Sequence, residues 1–224
     1  MRRILAGAAA ALLLSTASLS AQDACGRFVR EPAVGGWSAY QLSEKDQVKG
    51  AMRFAIIARE DRGGTPMHRL EMTMSDEAGK EQMTMQLLVP GWPYEGGAIE
   101  EMIMQPAGKA PMQVGGPMLG MMKSQADRNA GTSAAKQCQA MEFVGRESVT
   151  VPGGTFQTSH YRDPKSGTDV WASDVPFGFV KTTDAKGNAM VLTGHGQGAK
   201  SAISGTPGRM GGCCGGRGRR RPVR

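Results

Sequence analysis

The sequence predicts a mainly β protein: a curved antiparallel sheet or half-barrel of about nine or ten strands, with a short helix and a disordered C-terminal tail. Three observations carry that expectation. Apolar and polar residues alternate with a period of two from Trp37 onward, and turn residues recur at hairpin spacing. One Gly/Pro-rich stretch, 106–136, interrupts the alternation around a single apolar patch.

Met1-Arg2-Arg3 leads into an apolar run from Ile4 to Leu14 and then small residues up to Ala21, so residues 1–21 read as a signal peptide cleaved after Ala21. The uninterrupted apolar run of about 11 residues is too short to cross ~30 Å of hydrocarbon, so the expectation is an exported protein, periplasmic or extracellular, without an anchor. Cys25 lacks the Leu-x-small pattern of a bacterial lipoprotein, which predicts no lipidation there.

Residues 22–204 read as a single β-rich domain. Gly50 to Ala58 puts Met52, Phe54 and Ile56 on one face, and Arg69 to Met74 sets Leu70, Met72 and Met74 against Arg69, Glu71 and Thr73. After a turn at 75–80 the alternation resumes with Met83, Met85 and Leu87, which makes a hairpin with one apolar and one solvated side. Ile99 to Met104 adds a strand. Met118-Leu119-Gly120-Met121-Met122 has the spacing of a short helix that either covers the apolar face of the sheet or moves over it. Strands return over 143–151, 155–162, 168–173, 176–181 and 188–193, broken by the turns Pro152-Gly153-Gly154 and Asp163-Pro164-Lys165-Ser166-Gly167. Apolar content collapses beyond His195, and residues 205–224 are expected to be a disordered Gly/Arg-rich tail.

The formal net charge of +7 sits at the two ends. Arg2 and Arg3 have no acid near them in residues 1–21, and residues 209–224 carry six arginines and no acid; subtracting these eight charges from +7 leaves −1 for residues 22–208. A nearly neutral body argues against a phosphate-neutralising groove, so no specific nucleic-acid partner is expected. The Arg-rich tail is either a solvated end or a cation drawn to anionic membrane surfaces.

Export favours thiol pairing. Of the four cysteines, Cys213 and Cys214 are adjacent in the tail, and Cys25 with Cys138 is the preferred disulfide, against the alternative of two unpaired thiols. No Cys-x-x-Cys is present, so neither a redox pair nor a zinc ribbon is supported.

Over roughly 138–198 the sequence resembles uncharacterised exported bacterial proteins. The residues that carry this are Val151-Pro152-Gly153-Gly154-Thr155-Phe156, His160-Tyr161-Arg162, Asp169-Val170-Trp171 and Val175-Pro176-Phe177-Gly178-Phe179. That pattern is distantly similar to the lipoprotein-carrier superfamily. The resemblance implies a half-barrel wrapped around a helical plug and able to hold an acyl chain; it implies no catalytic residues. Physically, the same motifs read as tight turns and large buried rings.

Methionine, at 16 residues, is the unusual feature. Met72 and Met74, Met83 and Met85, and Met102 and Met104 each place two thioethers on one face of a strand. If these strands are neighbours, six sulfurs share a wall. Unbranched, polarisable side chains suit an adaptable pocket for a lipid or other apolar ligand. The same residues also suit ordinary core filling, as in a structural or protein-interaction module with a closed interior, or capture of Cu(I).

No catalytic constellation or cofactor site is expected. His68, His160 and His195 are scattered; a triad of His160 with Asp163 or Asp169 and a serine lacks a Gly-x-Ser-x-Gly elbow. Gly194-His195-Gly196-Gln197-Gly198 lacks the helix and acid of a dinucleotide loop, and the consecutive Glu100 and Glu101 face opposite sides of a strand. The sequence therefore points to a non-enzymatic envelope protein.

Overall fold

The computed structural model describes residues 31–91, 98–129 and 140–210. The expected signal peptide, Cys25 and Cys138 of the expected disulfide, and tail residues 211–224 lie outside the described residues. The described chain forms β1 (Trp37–Glu44), β2 (Gln47–Arg62), β3 (Thr65–Ser75), β4 (Glu81–Val89), β5 (Glu101–Pro106) and β6 (Met112–Val114). Helix α1 (Gly116–Asn129) follows. The remainder is β7 (Glu142–Val151), β8 (Gly154–Asp163), β9 (Thr168–Ala172), β10 (Phe179–Thr183), β11 (Asn188–Gly196) and β12 (Gly208–Met210).

All twelve strands belong to one sheet, in the order β12-β6-β5-β4-β3-β2-β1-β11-β10-β9-β8-β7. Neighbours are antiparallel except β12, which runs parallel to β6. The expected class is correct; nine of the strands overlap the stretches that alternation marked out, and β1 begins at Trp37, where the alternation starts. The two additions, β6 and β12, are three residues each, too short for periodicity to register. Gly208–Met210, expected to be disordered, adds a strand instead, because the edge of β6 offers unpaired backbone groups.

The sheet curls. Register shifts at Ala39/Tyr40, Leu42/Ser43, Ile56/Ala58 and Phe143/Gly145 insert bulges that bend the strands, and β7 comes back against β10 and β11. The Pro152-Gly153-Gly154 turn seals that return. Gly153 N donates to Leu192 O at 3.0 Å, and a Cβ on Gly153 would sit 3.0 Å from the same oxygen, so the approach requires glycine.

The concave face carries the core. Ile56, Leu70, Leu87, Val89, Ile99, Met102 and Val114 form one cluster; Tyr40, Val151, Val175, Val180 and Leu192 form another. Phe177, fully buried, plugs the first cluster and packs against Phe54 at 5.6 Å between ring centroids. It does so with φ of 64°, a conformation that costs about 1–3 kcal/mol for a non-glycine residue and is offset by about 1.5–3 kcal/mol from burying the ring.

The open edge β7 is blunted rather than paired. Its bulge at Val144 and its charged Arg146 and Glu147 oppose strand addition, although Phe143 (45% exposed) and Val144 (55%) face solvent. Among the described residues, no helix is long and apolar enough to cross a membrane.

Candidate functional site

The six methionines singled out in the sequence share one face. Met72 lies opposite Met85, Met74 opposite Met83, and Met85 opposite Met104. Directly opposed residues in an antiparallel pair point to the same side, so the register is decisive. Met102 lies opposite Leu87 two residues along the same strand, on that same side. Two further thioethers join the wall. Met52 lies opposite Met74, and Met112 opposite Met104. Met112 escaped the sequence reading because it sits on three-residue β6 within the Gly/Pro-rich stretch; the triplet Met112-Gln113-Val114 is its only local signal.

The wall is not sealed. Met102 is 4% exposed, but Met52, Met72, Met74, Met83, Met85, Met104 and Met112 remain partly exposed. What covers it is α1, through Leu119 and Met122, while Met118 (44% exposed) and Met121 (59%) point outward. The described part of this seat rests on Leu119 and Met122, both half-buried. The helix runs well beyond the expected Met118–Met122, from Gly116 to Asn129. Pro117 starts it in the first turn, and Lys123-Ser124-Gln125-Ala126 continues it without a breaker.

The opposite, outer face is polar. Glu71, 1% exposed, accepts hydrogen bonds from Gln86 Nε2 (2.8 Å), Ser201 Oγ (3.1 Å) and the Ala202 backbone N–H (3.1 Å). These bonds fasten the segment after β11 across the outside of the sheet. Ala199 N donates to Gly35 O, Ser204 N to Gln105 Oε1, and Gly208 N to Pro111 O before β12 pairs with β6.

A second polar group lies on β7–β9. His160 Nε2 is 2.7 Å from Asp169 Oδ1 and its Nδ1 3.2 Å from Glu147 Oε1, while Trp171 stacks on the imidazole and donates to Glu147 at 2.6 Å. Both ring nitrogens of His160 therefore face carboxylates, and neither is directed at a serine as a triad would need. Arg162 donates two hydrogen bonds to Asp169, which hold that carboxyl below the usual range against the opposing effect of burial; His160 lowers it further. Burial pushes the Tyr40 phenol upward.

The three histidines are not brought together: His68 is on β3, His160 on β8 and His195 on β11. His68 is buried with Nδ1 2.7 Å from Glu31, and His195 packs on Phe156. Glu101 pairs with Arg62 and Arg69. Gly194 and Gly196 lie under the Trp37 ring, where a Cβ on Gly196 would be 3.1 Å from Nε1; close packing accounts for these glycines. Among the described residues, no cluster of His, Cys, Asp and Glu could hold a metal ion.

No protein-family description matches this chain, and no curated protein does. Solved structures do. A candidate exported protein with a YmcC-like fold from Bacteroides fragilis matches with a TM-score of 0.39 and 12% identity, over 76% of this chain and 99% of that one. A candidate lipoprotein from Parabacteroides distasonis matches with a TM-score of 0.37 and 12% identity, over 75% and 98%. MucB matches with a TM-score of 0.42 and 12% identity; 83% of this chain is covered, and 62% of MucB.

Proposed function

We propose that this protein is exported and non-enzymatic, and that it holds a lipid or other apolar ligand between the thioether wall and α1. One observation carries the reading: eight methionines share one face of the sheet, and seven of them remain partly exposed although Leu119 and Met122 of α1 pack against the same core. A closed core would bury them. Met side chains re-pack cheaply around chains of different shape, and a helix seated through the half-buried Leu119 and Met122 can shift to admit an acyl chain. The signal-peptide pattern supplies the argument for export.

The test is titration of the purified full chain with cis-parinaric acid, a fluorescent fatty acid. Saturable binding is expected, and Met85→Gln with Met104→Gln should weaken it roughly 10-fold or more, since each change places an amide on an apolar surface. Circular dichroism confirms that the variant is folded. Absence of saturable binding, or equal binding by the folded variant, overturns the proposal and leaves the wall as the seat of α1.

A further inference from the structure

Beyond Met52 the concave face does not end in apolar packing. Met52 lies opposite Tyr40, and two residues further along β1 on the same side is Leu42, which lies opposite Met190; Met190 in turn lies opposite Thr182. Leu42, Met190 and Thr182 line an open depression of about 490 Å³ at the tips of the β1–β2, β8–β9 and β10–β11 hairpins. These three residues thus continue the thioether wall diagonally, and the rest of the lining is chemically different.

The rest of the lining supplies hydroxyls and mixed charge. Ser43, Thr168 and Thr183 carry the hydroxyls, with Thr168 Oγ1 already accepting from Ser166 Oγ at 2.9 Å, and Glu44, Lys49 and Asp184 carry the charges. Asp184 is spent internally, accepting from Lys186 N, Asn188 N and Asn188 Nδ2, which brace the turn and hold its carboxyl low. Lys49 donates to Gln47 Oε1 at 3.2 Å. Two acids against one base leave no surplus positive charge for a phosphate or carboxylate, and the nearby ammonium with the saturated Asp184 disfavours a cation. Among the described residues, neither Thr182 nor Glu44 has a side-chain hydrogen-bond partner, so donor and acceptor capacity faces the depression.

We infer that the depression is a head-group pocket for an amphiphile whose head is uncharged and bears hydroxyl groups, such as a sugar or glycerol. The inference rests on the apolar-ligand reading and adds the chemistry of the polar end. Leu42 and Met190 meet the C–H surface of the head. Thr168, Thr182 and Glu44 exchange hydrogen bonds with its hydroxyls.

Three probes with the same dodecyl tail separate the possibilities: dodecyl maltoside, dodecyl phosphate and dodecyltrimethylammonium, titrated calorimetrically below their micelle concentrations. The maltoside is expected to bind tightest. Thr182→Val, which breaks no bond within the protein, should weaken the maltoside roughly 3- to 10-fold and leave the charged probes unchanged, since one hydrogen bond is lost. Met74→Gln should weaken all three. Equal affinities, a preference for a charged head, or indifference of the maltoside to Thr182→Val overturns the pocket while the apolar wall stands. Failure of all three probes to bind overturns both.

Discussion

At Asp169 a single carboxylate holds two neighbours at once, Arg162 through two hydrogen bonds and His160 through a third contact. Its depressed pKa makes it a measurable contributor to stability. A carboxylate whose folded pKa lies below its unfolded value of about 3.9 stabilises the fold above that value and ceases to as pH falls through the folded pKa. Asp169→Asn should cost about 1–3 kcal/mol at neutral pH, the worth of hydrogen bonds to a charged group. In urea unfolding from pH 7 downward, the gap between wild type and variant should shrink once pH drops below about 4. A gap that stays constant into acid would mean that the neutral acid serves Arg162 as well as the carboxylate.

For α1 the controlling feature is the glycine inside it. Gly120 lies inside the helix with a φ outside the left-handed region, and no atom beyond its chain neighbours and the helix's own backbone lies within 4 Å of where a Cβ would stand. Gly120→Ala should therefore stabilise the helix by about 0.5–1 kcal/mol through lost backbone freedom in the unfolded chain. Far-ultraviolet circular dichroism and the melting temperature check this; a destabilised variant would show that the glycine is needed for an approach not visible around it. The sequence showed the seed of this helix in Met118–Met122. Its extension to Asn129 was less visible, because the residues after Met122 lack an apolar stripe and alternation says nothing about polar helices.

Across the whole molecule, the segment after β11 ties the middle of the sheet to its β12 edge. It passes from Gly35 beside β1 over Glu71 and Gln105 to β6, and the fastening is polar, since Ser201, Ala202 and Ser204 are themselves exposed. Glu71→Gln keeps the shape but turns one acceptor oxygen into a donor facing the Ala202 N–H and the Gln86 amide, a mismatch worth about 1–3 kcal/mol. Hydrogen exchange should rise at Ala202 and at Gly208–Met210, with β1–β4 unaffected. Unchanged protection there would place the hold of this segment in β12 alone.

Local alternation determined which side chains share a face: with a period of two, Met72 and Met74, Met83 and Met85, and Met102 and Met104 had to point together on each strand. The tight turns at 76–80, 152–154 and 163–167 were equally local, resting on Asp, Pro and Gly chemistry. Tertiary structure alone decided that those strands are neighbours in matching register, that α1 leaves the wall partly open, and that Glu71 finds Ser201, 130 positions away. Such pairings depend on which distant surfaces are buried together, and a buried carboxylate or a three-residue strand leaves no periodic trace in the chain that makes it.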